Sequence, residues 1–261
     1  MDTRQVSKYF LRQCCASFAG ASVLLGCVIL AQAEELSQGF EGDVGLGGYY
    51  TRSIIRGIRD DLSVLPYADF EYGRLFARVD TVGIKTQKLG YGHLELVGRI
   101  SQDGFGTNMP NLRGLANRET PIPLGIGTLQ VTPLGGIMIN AFHDVHRSKG
   151  NLFEVFYVAE VDLPQVNFYP LLGAEYQSRE YVRYLYGISA QEAAESQFAA
   201  YAPGGAFNNF IGLIADIDLT RGYHLNCYAR RKWLGDAIQQ SPLVNQRYLD
   251  IGYVALSYRF K

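Results

Sequence analysis

The side chains best equipped for chemistry in this 261-residue chain are four histidines, His93, His143, His146 and His224, and one cysteine beyond residue 33, Cys227. His143 and His146 flank Asp144 in the run His-Asp-Val-His. Two imidazoles and a carboxylate could hold a cation, but a structural site takes about four ligands, and paired histidines in a polar loop more often hold none. A covalent catalyst needs a nucleophile and a base in reach, with a third group to orient the base. GxSxG, HExxH and phosphate-cradling loops are missing from the sequence. A loop histidine could still serve a lipid-modifying enzyme, the least favoured of the readings. The reading adopted is a non-enzyme with no catalytic, cofactor-binding or metal-binding residue. Cys14, Cys15 and Cys27 all lie within the first 33 residues, which leaves Cys227 without a partner for an intrachain disulfide.

Charged residues form the second set. Period-2 alternation recurs through most of the sequence after residue 33. Over 207–219, Phe207, Asn209, Ile211, Leu213, Ala215, Ile217 and Leu219 alternate with Asn208, Gly212, Asp216 and Asp218. Over 152–163, Phe153, Val155, Tyr157, Ala159, Val161 and Leu163 alternate with Glu154, Glu160 and Asp162. One face is apolar and the other charged. On this phase Arg78, Asp80, Glu95, Arg99, Glu154, Glu160, Asp162, Asp216, Asp218, Arg230 and Arg259 point inward. They would form either a salt-bridged plug or the lining of a polar pore. A bore of roughly ten to twelve strands is far narrower than that of porins, with about 16–18, and the plug is favoured. Cys227 falls in the outward phase with Tyr223, Leu225 and Ala229, as a small apolar residue.

The elements that must hold these residues can be read from both ends. Met1 to Gln13 carries Arg4, Lys8 and Arg12, an apolar run follows to Leu30, and Ala31-Gln-Ala33 is a small-x-small site ahead of Glu34-Glu35. That order predicts a secretory signal peptide over 1–33, cleaved on export through the inner membrane, with residues 34–261 as one domain. A retained anchor would need about 20 apolar residues. Lipid attachment at Cys27 would need that cysteine at the end of the apolar run, not inside it. Removing three basic residues and one acid moves the net charge from −1 to −3, which argues against nucleic acid or a polybasic membrane surface. No apolar run after residue 33 approaches about 18 residues, so no helix spans a membrane. In hydrocarbon only a closed sheet would then satisfy every backbone group. The end of the chain, Val254 to Phe260, alternates and finishes in aromatics, as a closing strand of an outer-membrane barrel does. Aromatics also gather at other strand ends, including Tyr49-Tyr50, Phe168-Tyr169, Tyr223, Trp233 and Tyr248, as interfacial girdles would.

Strands are expected near 42–52, 65–73, 75–86, 91–101, 122–132, 136–145, 151–163, 165–178, 206–219, 222–233 and 248–260. Eleven segments conflict with the even count of bacterial barrels. A second short strand hidden in 75–86 gives twelve and a merger gives ten; twelve is preferred. Short turns fall at Pro133-Leu-Gly135, Leu163-Pro-Gln165 and Thr220-Arg-Gly222, and long loops at 102–121, 143–150, 179–205 and 234–247. With the C-terminus periplasmic, the short turns are periplasmic and the long loops extracellular. One short loop helix is expected over Ser189–Ser196, where a serine N-cap precedes Glu192 by three residues.

This loop also carries a resemblance. Tyr184-Leu-Tyr186-Gly-Ile-Ser189-Ala-Gln-Glu-Ala193-Ala-Glu-Ser196, followed by Tyr201 and Gly204-Gly205, resembles the signature of the MltA-interacting protein (MipA)/OmpV family. Leu234-Gly-Asp-Ala237 leading to Ser241-Pro-Leu-Val244 is a second match, and Gly252 to Phe260 a third. Ile188 stands where the family usually has valine, and Lys261 follows the terminal phenylalanine. The resemblance implies an all-β, antiparallel transmembrane β-barrel in the Gram-negative outer membrane. For the name-giving member it implies a scaffold joining a lytic transglycosylase, a murein hydrolase, to a peptidoglycan synthase. The partners it suggests here are outer-membrane lipid and those two periplasmic enzymes, with no cofactor. A narrow outer-membrane channel for small solutes is the alternative.

Overall fold

A computed structural model describes residues 39–101 and 103–260. The expected signal peptide over 1–33 lies outside the described residues. Twelve strands follow one another: β1 (Phe40–Thr51), β2 (Asp61–Tyr72), β3 (Leu75–Arg78), β4 (Thr81–Leu89), β5 (Gly92–Arg99) and β6 (Pro123–Thr132). They continue as β7 (Gly135–Asp144), β8 (Asn151–Val158, resuming at Val161–Asp162), β9 (Val166–Gln177), β10 (Ala206–Thr220), β11 (Tyr223–Trp233) and β12 (Tyr248–Phe260). Each pairs antiparallel with the next, and β12 pairs with β1 from Gly42–Phe260 to Thr51–Ile251, closing the barrel.

The alternation explains why this sheet closes around a polar interior. On β10, Phe207, Ile211 and Leu213 are exposed while Asn208 and Asp216 are buried. On β12, Val254 and Leu256 are more than half exposed and Ser257 is buried. A soluble protein would reverse these faces. An outward apolar band over a polar interior suits strands surrounded by lipid.

The short strand expected inside 75–86 is present as β3, and a two-residue turn, Val79-Asp80, separates it from β4. The turn contains neither glycine nor proline, so the chain carries little local sign of it. Val79 takes φ of +55°, an unfavourable region for a β-branched side chain. Tertiary packing favours it there, because Val79 packs against the interior cluster of Tyr67, Tyr253 and Ala255. With this strand counted, the phase is consistent along the whole chain. Tight turns at 73–74, 90–91, 133–134, 163–165 and 221–222 share one end with Phe40 and Phe260. Loops 52–60, 100–122, 145–150, 178–205 and 234–247 share the other.

The expected loop helix is α2 (Ala190–Glu195), preceded by α1 (Arg179–Tyr186); α3 (Asp236–Gln239) lies in the last loop. In α2 both halves of the capping box form: Ser189 Oγ accepts from the Glu192 N–H at 3.2 Å, and the Glu192 carboxylate accepts from the Ser189 N–H at 2.9 Å. In α1 the buried residues Tyr181, Val182, Leu185 and Tyr186 occupy one helical face. Its tyrosines read in sequence as a strand end, which is why only one helix was expected there.

Candidate functional site

The barrel interior and the long-loop end are the two places where this fold concentrates polar and apolar groups away from solvent. In the interior, Arg78 reaches Glu95 with both terminal nitrogens, at 2.8 and 2.7 Å. Arg99 reaches Glu154 at 2.6 Å, and the Lys232 ammonium lies 3.0 Å from Glu175. Arg259 bridges Asp43 at 2.5 Å and Asp216 at 2.8 Å, and Asp216 also meets His224 Nδ1 at 2.8 Å. The guanidinium of Arg78 lies over the Phe76 ring at 4.0 Å, and that of Arg99 over Phe142 at 4.5 Å. Beside these pairs Tyr49, Tyr67 and Tyr228 each stack against Tyr253, with centroids 5.2–5.5 Å apart.

The inward residues expected from the alternation therefore largely meet one another. Arg78, Glu95, Arg99, Glu154, Asp216 and Arg259 join in pairs that link strands two or three apart. Arg230 lies over the Phe210 ring at 5.3 Å. Asp162 and Asp218 stay exposed near the short-turn end, and Glu160 sits half-buried where β8 breaks. Asp43, Glu175 and Lys232 belong to the network but were missed. A signal for each existed: Lys232 shares the phase of Arg230, and Glu175 alternates with Ala174 and Tyr176.

At the long-loop end four loops pack a second, apolar core. Leu112, Val182, Leu185 and Leu243 lose all solvent exposure there, joined by Ile55, Leu115, Ile188, Ile238 and Val244. Polar contacts stitch the loops together. Arg118 donates to the Glu192 carboxylate at 2.8 Å and to the Gly187 carbonyl at 3.0 Å. Ser241 Oγ donates to the Tyr186 carbonyl at 2.7 Å, and the Tyr201 hydroxyl to the Ala237 carbonyl at 2.9 Å. The Tyr181 hydroxyl reaches Asp103 at 2.7 Å. Burial would raise the Glu192 pKa, but hydrogen bonds from the Ser189 and Ala116 N–H groups and from Arg118 outweigh it and hold the carboxyl below its ordinary range. The two sequence blocks at 184–205 and 234–244 thus meet as one cap over the barrel.

The histidines do not converge. His224 is interior, and His93 lies on β5 opposite Lys88. His143 Nδ1 lies 2.9 Å from Asn151 Oδ1, and His146 Nε2 lies 3.1 Å from Glu119. Asp144, between the last two, accepts from the N–H groups of Ile122, His146, Arg147 and Ser148 and from Ser148 Oγ, at 2.6–3.2 Å. That set makes it the organiser of the β7–β8 loop. Among the described residues no three His, Cys, Asp or Glu side chains are arranged to hold a metal ion. Cys227 lies half-buried on the outward phase, opposite Ala215 and Val254.

Residues 44–260 match the family model described as MltA-interacting protein MipA. The outer membrane protein YiaT of Escherichia coli K12 is 23% identical over 234 residues, covering 88% of this chain and 93% of the relative. Outer membrane protein OmpV of Vibrio cholerae is 26% identical over 202 residues, 77% of this chain and 72% of the relative. The MltA-interacting protein of Escherichia coli K12 is 21% identical over 150 residues, 57% of this chain and 60% of the relative. Among solved structures, the N-terminal β-barrel domain of Pseudomonas aeruginosa OprF is similar at 10% identity and TM-score 0.27, covering 85% of this chain and all of that one.

Proposed function

The chain belongs to the MltA-interacting protein family, and from that premise we propose that it is a non-enzymatic, non-conducting scaffold of the outer membrane, linked to murein-remodelling enzymes. The observation that carries this reading is the mutual pairing of the interior charges. Arg78–Glu95, Arg99–Glu154, Lys232–Glu175 and the Asp43–Arg259–Asp216 bridge tie up the charges that would otherwise line a solute path. The apolar cap closes the long-loop end above them. What remains available to a partner is the outer surface and the two rims.

In this reading the signal peptide over 1–33 directs export and is cleaved, and residues 34–261 form the barrel. The long loops face the cell exterior, and the short turns, with the segment ahead of Phe40, face the periplasm. The periplasmic face is the docking surface for a murein hydrolase of the lytic transglycosylase type and, through it, a peptidoglycan synthase. A relative named for interacting with MltA supports the first partner, and the family resemblance suggests the second. Lipid surrounds the apolar band, and no nucleic acid is involved.

The test uses the full chain, folded and purified in detergent, in two assays. Immobilised protein is expected to retain a purified lytic transglycosylase. In planar bilayers it is expected to give no conductance steps. Steps without capture would overturn the scaffold in favour of a narrow solute channel. Neither capture nor steps would remove the murein link.

A further inference from the structure

Charge is nearly banished from the outward face of this barrel. Among the described strand residues, the outward register carries charged side chains at two positions, Arg231 of β11 and Asp250 of β12, which are direct cross-strand partners. Their places in the register are fixed by exposed neighbours two, four and six residues away: Trp233 beside Arg231, and Val254 and Leu256 beyond Asp250. Arg52, one residue past β1, joins them: its backbone N–H donates to the Asp250 carbonyl at 2.9 Å, and its Nη1 lies 3.4 Å from the carboxylate.

The geometry is that of a clamp with capacity to spare. Asp250 takes a bidentate contact from Arg231 at 2.7 and 2.9 Å. Both guanidinium groups lie over the Tyr248 ring, Arg231 at 4.2 Å and Arg52 at 5.0 Å. Two cations thus share one carboxylate, and the Arg231 side chain remains 47% exposed. The nearby carboxylate of Asp60 is taken by the Tyr50 hydroxyl at 2.6 Å and the Ser53 N–H at 2.9 Å.

Depth and shape narrow the choice of ligand. Trp233 pairs with Tyr248 at the girdle, and the Arg231–Asp250 pair lies one outward step nearer the membrane middle. The next outward pair in that direction is Ala229 with Gly252, so the wall directly below Arg231 has no bulky side chain, while Tyr50 flanks Gly252 below Arg52. Charges here face the boundary between headgroups and hydrocarbon, where a guanidinium fork suits a phosphate oxygen pair. A lipid whose phosphate sits on a sugar directly above its acyl chains fits a positive clamp over an apolar wall.

We propose that Arg52 and Arg231, stacked on Tyr248 and joined by Asp250, bind a phosphate of the phosphorylated glycolipid of the outer leaflet, lipopolysaccharide. This rests on the reading that the long-loop end faces the cell exterior, and does not depend on the murein partners. The experiment titrates bisphosphorylated lipid A onto the detergent-folded full chain by native mass spectrometry. Dephosphorylated lipid A and phosphatidylglycerol serve as the comparison probes. R52Q/R231Q is expected to weaken lipid A binding about tenfold or more, the scale of losing a charge-assisted fork. D250N, which removes the competing carboxylate, is expected to tighten it, whereas a purely structural ion pair would give the opposite sign. Dephosphorylated lipid A is expected to bind no better to the parent than lipid A does to R52Q/R231Q. Heat-modifiable migration checks that each variant is folded; if R52Q/R231Q fails that check, R52K/R231K is used and is expected to bind at an intermediate level. Unchanged binding by a folded arginine variant, weaker binding by D250N, or equal binding of phosphatidylglycerol would each overturn the proposal. Capture of the lytic transglycosylase by the same preparations is expected to be unaffected, which separates failure here from failure of the scaffold reading.

Discussion

Replacing Arg99 by methionine tests whether the interior network holds the barrel together. Arg99 Nη2 lies 2.6 Å from a Glu154 oxygen, and the Glu154 side chain keeps 1% of its surface. The substitution leaves a buried carboxylate without its fork. Breaking a buried pair in this way costs about 3–5 kcal/mol, because the remaining charge is neither solvated nor matched. Arg230 lies close enough to interact with the same carboxylate, which places the expected loss near the lower bound, about 3 kcal/mol. The double variant R99M/E154L replaces the pair by apolar groups of comparable volume. It is expected to recover most of that loss, since a buried ion pair is roughly neutral against a well-packed hydrophobic pair. The assay is urea unfolding in lipid vesicles, followed by Trp233, the chain's single tryptophan. A loss below about 1 kcal/mol for R99M, the range of a solvated surface pair, would mean that the interior is wet and screens its charges. A double variant no more stable than R99M would equally refute the buried-pair argument.

Other expectations concern the loops. Glu192 is held below its ordinary pKa in the folded cap, so its contribution is fully present above the unfolded value of about 4.3 and is lost as pH falls through the lower folded value. Hydrogen-exchange protection factors over residues 184–201, corrected for the slower intrinsic exchange in acid, should therefore fall under acid conditions, and E192Q should flatten that dependence. Gly114 has φ of +89°, and a Cβ there would stand 2.1 Å from the Glu195 carbonyl oxygen. G114A is expected to part the 100–122 loop from α2 and destabilise the cap by about 1–3 kcal/mol, read as faster proteolysis there with the barrel intact. D144A strips five hydrogen bonds from the β7–β8 loop. It should expose that loop to protease whether or not divalent metal is added, and metal-dependent protection of the parent would show that Asp144 does more than organise the loop.

The alternation of apolar and polar residues along each segment determined the closed antiparallel barrel, the inward charges and the outward apolar band, but Tyr49 and Tyr169, expected in the girdles, turn inward. A period of two is a local property that every strand repeats. Even the hidden strand in 75–86 followed from parity. The exact place of its turn did not, because Val79 packs against an interior cluster that Tyr253 and Ala255 join from the far end of the chain. The capping box marked α2 because Ser189 and Glu192 are three residues apart, whereas the burial of α1 depended on loops contributing Leu112 and Leu243 from opposite sides of the barrel. The same distinction holds for the charges. Sequence placed Arg99, Glu154, Arg259 and Asp216 on one face, but only closure of β12 onto β1 brought Arg259 between Asp43 and Asp216. Pairing across 19 residues put Arg231 beside Asp250, and barrel closure added Arg52 across 198. A one-dimensional pattern fixes which way a side chain points; which side chain it meets depends on register and on closure of the barrel, and those are set only when the whole sheet forms.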